Sequence, residues 1–431
     1  MKTLHKILFV LLLSYIVISC EKETNQITHQ EDYNVYLDSK ENKSLDFAKS
    51  EIDFWQKKFD AAPNQITYLS QIASNYSKLF ENTGKIDYLY KTEQLLLQSN
   101  EAFQYTSTGT VRALARNYIS QHRFKEALTL ANKALAIGDG MDETQKLLFD
   151  VNMELGNYEA AEKNLKAVKD FKDFGYLIRI SKWNDHQGDL KTAISFMEKA
   201  KEIVESNDNK DLKIWTYSNL GDLNGHFGEI KKSYDYYLKT LAEEPNNSYA
   251  LKGIAWIAFS YERNPTEAKR IIDKIAKRHD TPDFYLLKSK IAEFEKNDKA
   301  KSENLAKYFK MLENNKYGAM YNKYNTLIFA EDSLTTSKAL EIAKIEVAHR
   351  PTPDSYDLLA WSYFNHGDIK KAYAIAQQYV YGKSHEPMLN YHLAVIYKAN
   401  QNSSVIAPIV KELRGSIYEL GPSFEKKLSI L

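Results

Sequence analysis

A unit of about 34 residues recurs along this chain, and it leaves few architectures open. Its fullest copy runs Tyr217-x-x-Leu220-Gly221-x-x-Asn224-x-x-x-Gly228, followed by Ser233, Tyr237, Thr240 and Pro245. A second copy is Tyr356-x-x-Leu359-Ala360-x-x-Tyr363-x-x-x-Gly367, followed by Ala372 and Ala376. A third is Val111-x-x-Leu114-Ala115-x-x-Tyr118, followed by Ala127, Ala131 and Ala134. Large apolar side chains three or four residues apart lie on one face of a helix. The small residues let a second helix approach closely, and the glycine sits where the chain must turn with positive φ. Each unit is therefore a helix pair that buries its apolar face only by stacking on its neighbours.

Weaker copies fill the intervals. They are carried by Leu69, Ile72, Ala73 and Tyr76; by Leu148, Gly156, Ala161 and Leu165; by Ile180, Gly188, Ala193, Met197 and Ala200; and by Leu251, Ile254, Ala255, Ala258, Ala268 and Ile272. The order aromatic, Leu, small, aromatic, Gly, small, aromatic, small, Pro resembles the tetratricopeptide motif, with Asn224 standing where an aromatic is usual. The resemblance implies an all-α fold, a right-handed α-α superhelix of roughly nine or ten helix pairs. Composition agrees, since only 9 Pro and 16 Gly interrupt 431 residues. Residues 44–282 read as the N-terminal arm of the solenoid, and 283–431 as degenerate and C-terminal repeats, loosest up to 350. Leu45 to Phe59 is expected to cap one end as a lone helix, and Ile406 to Leu431 to close the other.

The first residues follow other rules. Lys2 and Lys6 precede an apolar run, Ile7 to Ile18, too short to span a bilayer and ending in Val17-Ile18-Ser19-Cys20. These residues resemble the signal peptide (1–19) and lipobox of bacterial lipoproteins. That resemblance implies diacylation of Cys20, the sole cysteine, and an exported protein on the outer membrane, facing the periplasm or the cell surface. A single cysteine also excludes a disulfide within the chain. Polar residues 20–43 are expected to be a flexible tether.

No catalytic signature appears: there is no His-Glu-x-x-His, no Gly-x-Ser-x-Gly and no phosphate loop, so no enzyme is expected. No cofactor or metal is expected either. His186, His226 and His366 precede the turn glycines of their units, but adjacent repeats are about 10 Å apart, too far for one zinc. A net charge of +1 gives no general attraction to nucleic acid. In tetratricopeptide proteins the first helix of each unit lines the concave face. Trp215, Tyr249, Trp256, Phe259, Trp361 and Phe364 fall at such positions and are not needed by the motif itself. Aromatic groups facing a groove mark a partner surface. The expected function is an envelope scaffold or adaptor that holds a protein or peptide partner. The alternative is a nutrient- or glycan-capturing surface lipoprotein accompanying an outer-membrane transporter.

Overall fold

Helices pair along this chain as the repeat demands, and among the described residues there is no strand. The computed structural model describes residues 26–402 and 405–431. Ten pairs follow one another. The first five are Thr67–Thr83 with Ile86–Ala102, Thr108–Ser120 with Phe124–Ile137, Met141–Glu154 with Tyr158–Ala167, Phe174–His186 with Leu190–Ser206, and Lys210–His226 with Ile230–Glu243. The next five are Ser248–Trp256 with Pro265–Ile275, Pro282–Phe294 with Asp298–Leu312, Asn322–Glu331 with Thr336–His349, Pro353–Asn365 with Ile369–Tyr379, and Pro387–Ala399 with Ile406–Gly415. The loosely matched region thus keeps the architecture, and it includes the helix Asn322–Glu331, which the motif does not pick out.

Small residues do the work the pattern assigns them. Ala115, Ala127, Ala131, Ala360 and Ala372 are wholly buried between paired helices. Gly221 and Gly253 clasp the ring of Tyr237 between two successive first helices; a Cβ on Gly221 would lie 2.6 Å from that ring. Asparagines start the helices: the side chains of Asn209, Asn247, Asn264 and Asn297 each accept from a backbone N–H three residues on. Such caps contribute about 1 kcal/mol apiece.

The solenoid closes on itself. His279 Nδ1 meets the carbonyl of Asn82, 197 residues earlier, and Arg350 meets Glu154, 196 residues earlier. Gly84 lies against Thr281, Gly156 against Pro351 and Gly188 against His385. In each case the inter-helix turn of one pair touches the lead-in to the pair six units later, so one superhelical turn is six pairs and successive turns are in contact.

Both chain ends depart from expectation. From Ile27 to Leu37 the supposed tether is docked. Ile27 and Thr28 donate backbone N–H groups to Glu262 at 2.7 and 2.6 Å, and Gln30–Leu37 is a helix whose buried Tyr33 donates to Glu267 at 2.5 Å. Tyr33 and Leu37 join the core formed by pairs five and six. Two apolar side chains four residues apart, with a hydroxyl that finds a buried carboxylate, suffice to hold a short helix in an otherwise polar stretch. Lys43–Ala61 then caps the first pair as expected. At the other end, the residues after Gly415 fold inward as two short helices, Ile417–Leu420 and Phe424–Ser429, and reach Trp256 and Ser260. The superhelical closure brings the C-terminus over pairs five and six, which a straight stack would not. Residues 1–25, with the signal segment and Cys20, lie outside the described residues.

Candidate functional site

First helices face the interior of the coil and present side chains to it at helical spacing. On Lys210–His226 these are Trp215, Asn219, Asp222 and His226; on Phe174–His186 they are Arg179, Lys182 and Asp185. Trp215, Asn219, Arg179, Lys182, Asp185 and Asp150 line a cavity of about 400 Å³. Asp222, His226, Tyr237, Trp256, Glu386 and Glu419 line a second of about 210 Å³.

The six expected groove aromatics divide. Trp215 and Tyr249 are open, 41% and 49% exposed. The Trp215 ring has the edge of Phe174 beside it, at 6.1 Å, while the Tyr249 hydroxyl donates to Asp222 Oδ2 at 2.5 Å. Trp256 is half-buried and covered: its indole N–H donates to the carbonyl of Tyr418 at 3.0 Å. Trp361 and Phe364 are half-buried against the next unit, Trp361 stacked on His392 at 4.0 Å and on Phe364 at 5.2 Å. Phe259 is a correction. It is 1% exposed and sits in the core against Phe294, because Ile257–Tyr261 is a π-helical turn, with the Glu262 N–H bonded to the Ile257 carbonyl. A π-turn adds a residue to the helical cycle and rotates everything after it. A frame extended from Leu251 therefore places Phe259 on the wrong face.

Sequence reasoning passed over the charged groups between these aromatics. Asp222 accepts from two tyrosines, Tyr237 at 2.6 Å and Tyr249 at 2.5 Å, and burial with the Asp222 charge raises both phenols far above their ordinary value. Asp185 and Glu386 are exposed and Glu419 is half-buried, yet protein crowds each of them. That desolvation raises all three, and for Glu419 the nearby Glu386 and Asp185 add to it while His226 opposes it. Burial also pushes the Lys290 ammonium down, 5.8 Å from the Trp256 ring. The wall is thus a confined, hydrated surface of mixed charge set with indole and phenol rings. The cue available in the sequence was the i, i+4 pair Asp222 and His226 on the face of Trp215.

The three turn histidines do different things. His186 packs on Tyr158 at 4.3 Å, His226 lines the smaller cavity, and His366 pairs with Thr336 at 3.0 Å. One buried acid–imidazole pair exists, Asp357 with His392 at 2.8 Å. Both side chains are buried beside the core of the ninth and tenth pairs, and no hydroxyl or thiol is hydrogen-bonded to that ring among the described residues. Among the described residues no three His, Cys, Asp or Glu side chains converge as metal ligands, and no helix is long and apolar enough to cross a membrane.

No protein-family model and no curated protein matches this chain. Solved structures similar to it include a human IFIT1 dimer with m7Gppp-AAAA, at 12% identity over 76% of each chain with a TM-score of 0.47. They include the type IV pilus biogenesis factor PilW, at 16% identity over 46% of this chain and 91% of that one, TM-score 0.38. They also include YrrB, described as a TPR protein with an unusual peptide-binding site, at 16% identity over 46% and 95%, TM-score 0.27. Likenesses this distant carry no assignment of ligand or activity.

Proposed function

We propose that this protein is a non-catalytic scaffold of the bacterial envelope that holds a protein or peptide partner against the inner wall of its coil. One observation carries the reading: Trp215 stays open to water beside a concave cavity, and on the first helix of the next repeat Tyr249 is also exposed, its hydroxyl held by Asp222. Trp and Tyr in such positions are the usual anchors of a partner. Charged neighbours on the same wall, Arg179, Lys182 and Asp185, supply orientation. Lipidated Cys20 attaches the scaffold to the outer membrane. Docking from Ile27 limits any tether to the seven residues from Cys20 to Gln26, about 25 Å at full extension. The body then rides close to the bilayer.

A photocrosslinking residue placed at Trp215 tests the partner surface, with one at Val35 on the docked N-terminal helix as control. A partner captured from Trp215 and not from Val35 supports the inner wall; the reverse places the interface outside. The 400 Å³ cavity beside Trp215 also favours a second reading, capture of a sugar-like nutrient stacked on the indole and hydrogen-bonded by Asn219, Asp150 and Arg179. Glycan binding lost in Trp215→Ala, with no protein crosslink, selects it.

A further inference from the structure

The inner wall of pairs five and six already holds a peptide, and it is the chain's own. Ile417–Gly421 crosses the first helices Lys210–His226 and Ser248–Trp256, more than 150 residues away in sequence. The Tyr418 carbonyl accepts from Trp256 Nε1 at 3.0 Å and from Ser260 Oγ at 2.6 Å. Its ring fills a notch that exists because residue 225 is glycine: a Cβ there would lie 2.9 Å from the ring. Gly421, with φ of +93°, brings its backbone to Trp256, where a Cβ would lie 3.3 Å from the indole. Leu420 turns the other way, into a small core with Leu413 and Leu428. Two outer ion pairs, Arg263 with Glu425 at 2.6 Å and Lys427 with Glu293 at 3.3 Å, hold the rest of the segment.

Side chains of the wall thus read this segment by a backbone carbonyl and by the shape of one aromatic ring. That is how a peptide groove reads a ligand, because main-chain bonds and one anchoring pocket together fix register. Nothing in the stacking of repeats requires it, since the last pair could end in a polar face.

We propose that the wall formed by Gly225, Trp256 and Ser260 is a peptide-binding site whose resident ligand is the segment Ile417–Gly421. It fits a partner segment with the same chemistry: an aromatic residue for the Gly225 notch, its carbonyl on Trp256 and Ser260, and glycine three residues later beneath the indole. A partner with that pattern displaces the C-terminal segment. Tethering gives the resident segment a millimolar-range effective concentration, so it excludes weak competitors and yields to tight ones. This inference rests on the reading of the inner wall as a partner surface.

The experiment uses the full chain and a fluorescent synthetic peptide of residues 415–424. Wild type binds it weakly, because the site is filled. Tyr418→Ala vacates the notch and binds it about tenfold or more tightly. Adding Gly225→Ala to that variant abolishes the gain, and so does replacing the peptide's tyrosine by alanine. If Tyr418→Ala melts too early to assay, hydrogen exchange on Gly225→Ala alone decides. There residues 416–424 lose protection while Lys210–His226 keeps its own. Folded Tyr418→Ala that binds no better than wild type, or unchanged exchange in Gly225→Ala, overturns the inference. A wall that ignores this peptide yet still crosslinks its partner at Trp215 contradicts this inference alone and leaves the scaffold reading standing.

Discussion

Gly188 lies against the imidazole of His385, 197 residues later, so closely that a Cβ on Gly188 would sit 2.7 Å from three atoms of the ring. Gly367 occupies the same turn of its own pair with φ of +95°, and a Cβ there would meet nothing. The two glycines separate backbone strain from contact between superhelical turns. Gly367→Ala is expected to cost about 1 kcal/mol through left-handed backbone alone. Gly188→Ala is expected to cost a further ~0.5–1.5 kcal/mol, because the exposed His385 ring must swing aside. Adding His385→Ala restores Gly188→Ala to the level of Gly367→Ala. Equal melting temperatures for the two single variants would mean that successive turns do not touch.

Phe259→Ala is expected to lower stability by about 3–5 kcal/mol, as for a large core aromatic, because the π-turn carries its ring into the core beside Phe294. Chemical denaturation measures it. A cost under about 1 kcal/mol, as for a surface change, would return Phe259 to the inner wall.

Helix pairs were legible because each one writes its own contacts in a short stretch: Gly221 and Tyr237 meet within one repeat. What the repeat could not show lies between distant segments or at breaks in helical phase. Tyr33 on Glu267, Gly188 on His385 and Tyr418 on Trp256 join residues more than 150 apart, which local periodicity does not encode. Phe259 was misplaced by one inserted residue in the helical cycle. Trp215 and Tyr249 are exposed where a regular frame places them, whereas Asp185, Glu386 and Glu419 became neighbours only through the closing of the coil.

Membrane attachment is expected to depend on Cys20 alone. Cys20→Ala should move the protein from the membrane to the soluble fraction with its helical circular dichroism unchanged, since acyl chains and not the solenoid supply the affinity. Sedimentation with membranes after a carbonate wash would show a different anchor.

Acid should act in two directions. Burial raises the Glu386 and Glu419 carboxyls, so their ionised forms oppose folding at neutral pH and cease to do so once protonated. Glu386→Gln is therefore expected to raise the melting temperature at pH 7, with the advantage fading as pH falls through the raised folded value and gone by about pH 4.5. Glu267 has the opposite sign. Burial pushes its carboxyl up, but Arg270, Tyr33 and Gln30 outweigh that and hold it below the usual range. Its contribution is present above about pH 4.5 and is lost as acid protonates it below that. Glu267→Gln should accordingly destabilise at pH 7, where Glu386→Gln stabilises. Melting curves of both variants across pH 3–7 check the signs, and a stabilising Glu267→Gln would contradict the account.

The partner surface is most directly tested by measuring binding and stability together on Trp215→Ala. An exposed anchor on the inner wall predicts that binding of the native partner, captured by photocrosslinking and then quantified, falls about tenfold or more, the equivalent of 1.4 kcal/mol. It also predicts that the melting temperature stays within a degree or two of wild type, since Trp215 is 41% exposed and belongs to none of the buried cores. Wild-type binding with unchanged melting would show that the partner, if there is one, binds elsewhere. A melting temperature lowered as far as that of Phe259→Ala would make Trp215 part of the core and remove it from any binding surface.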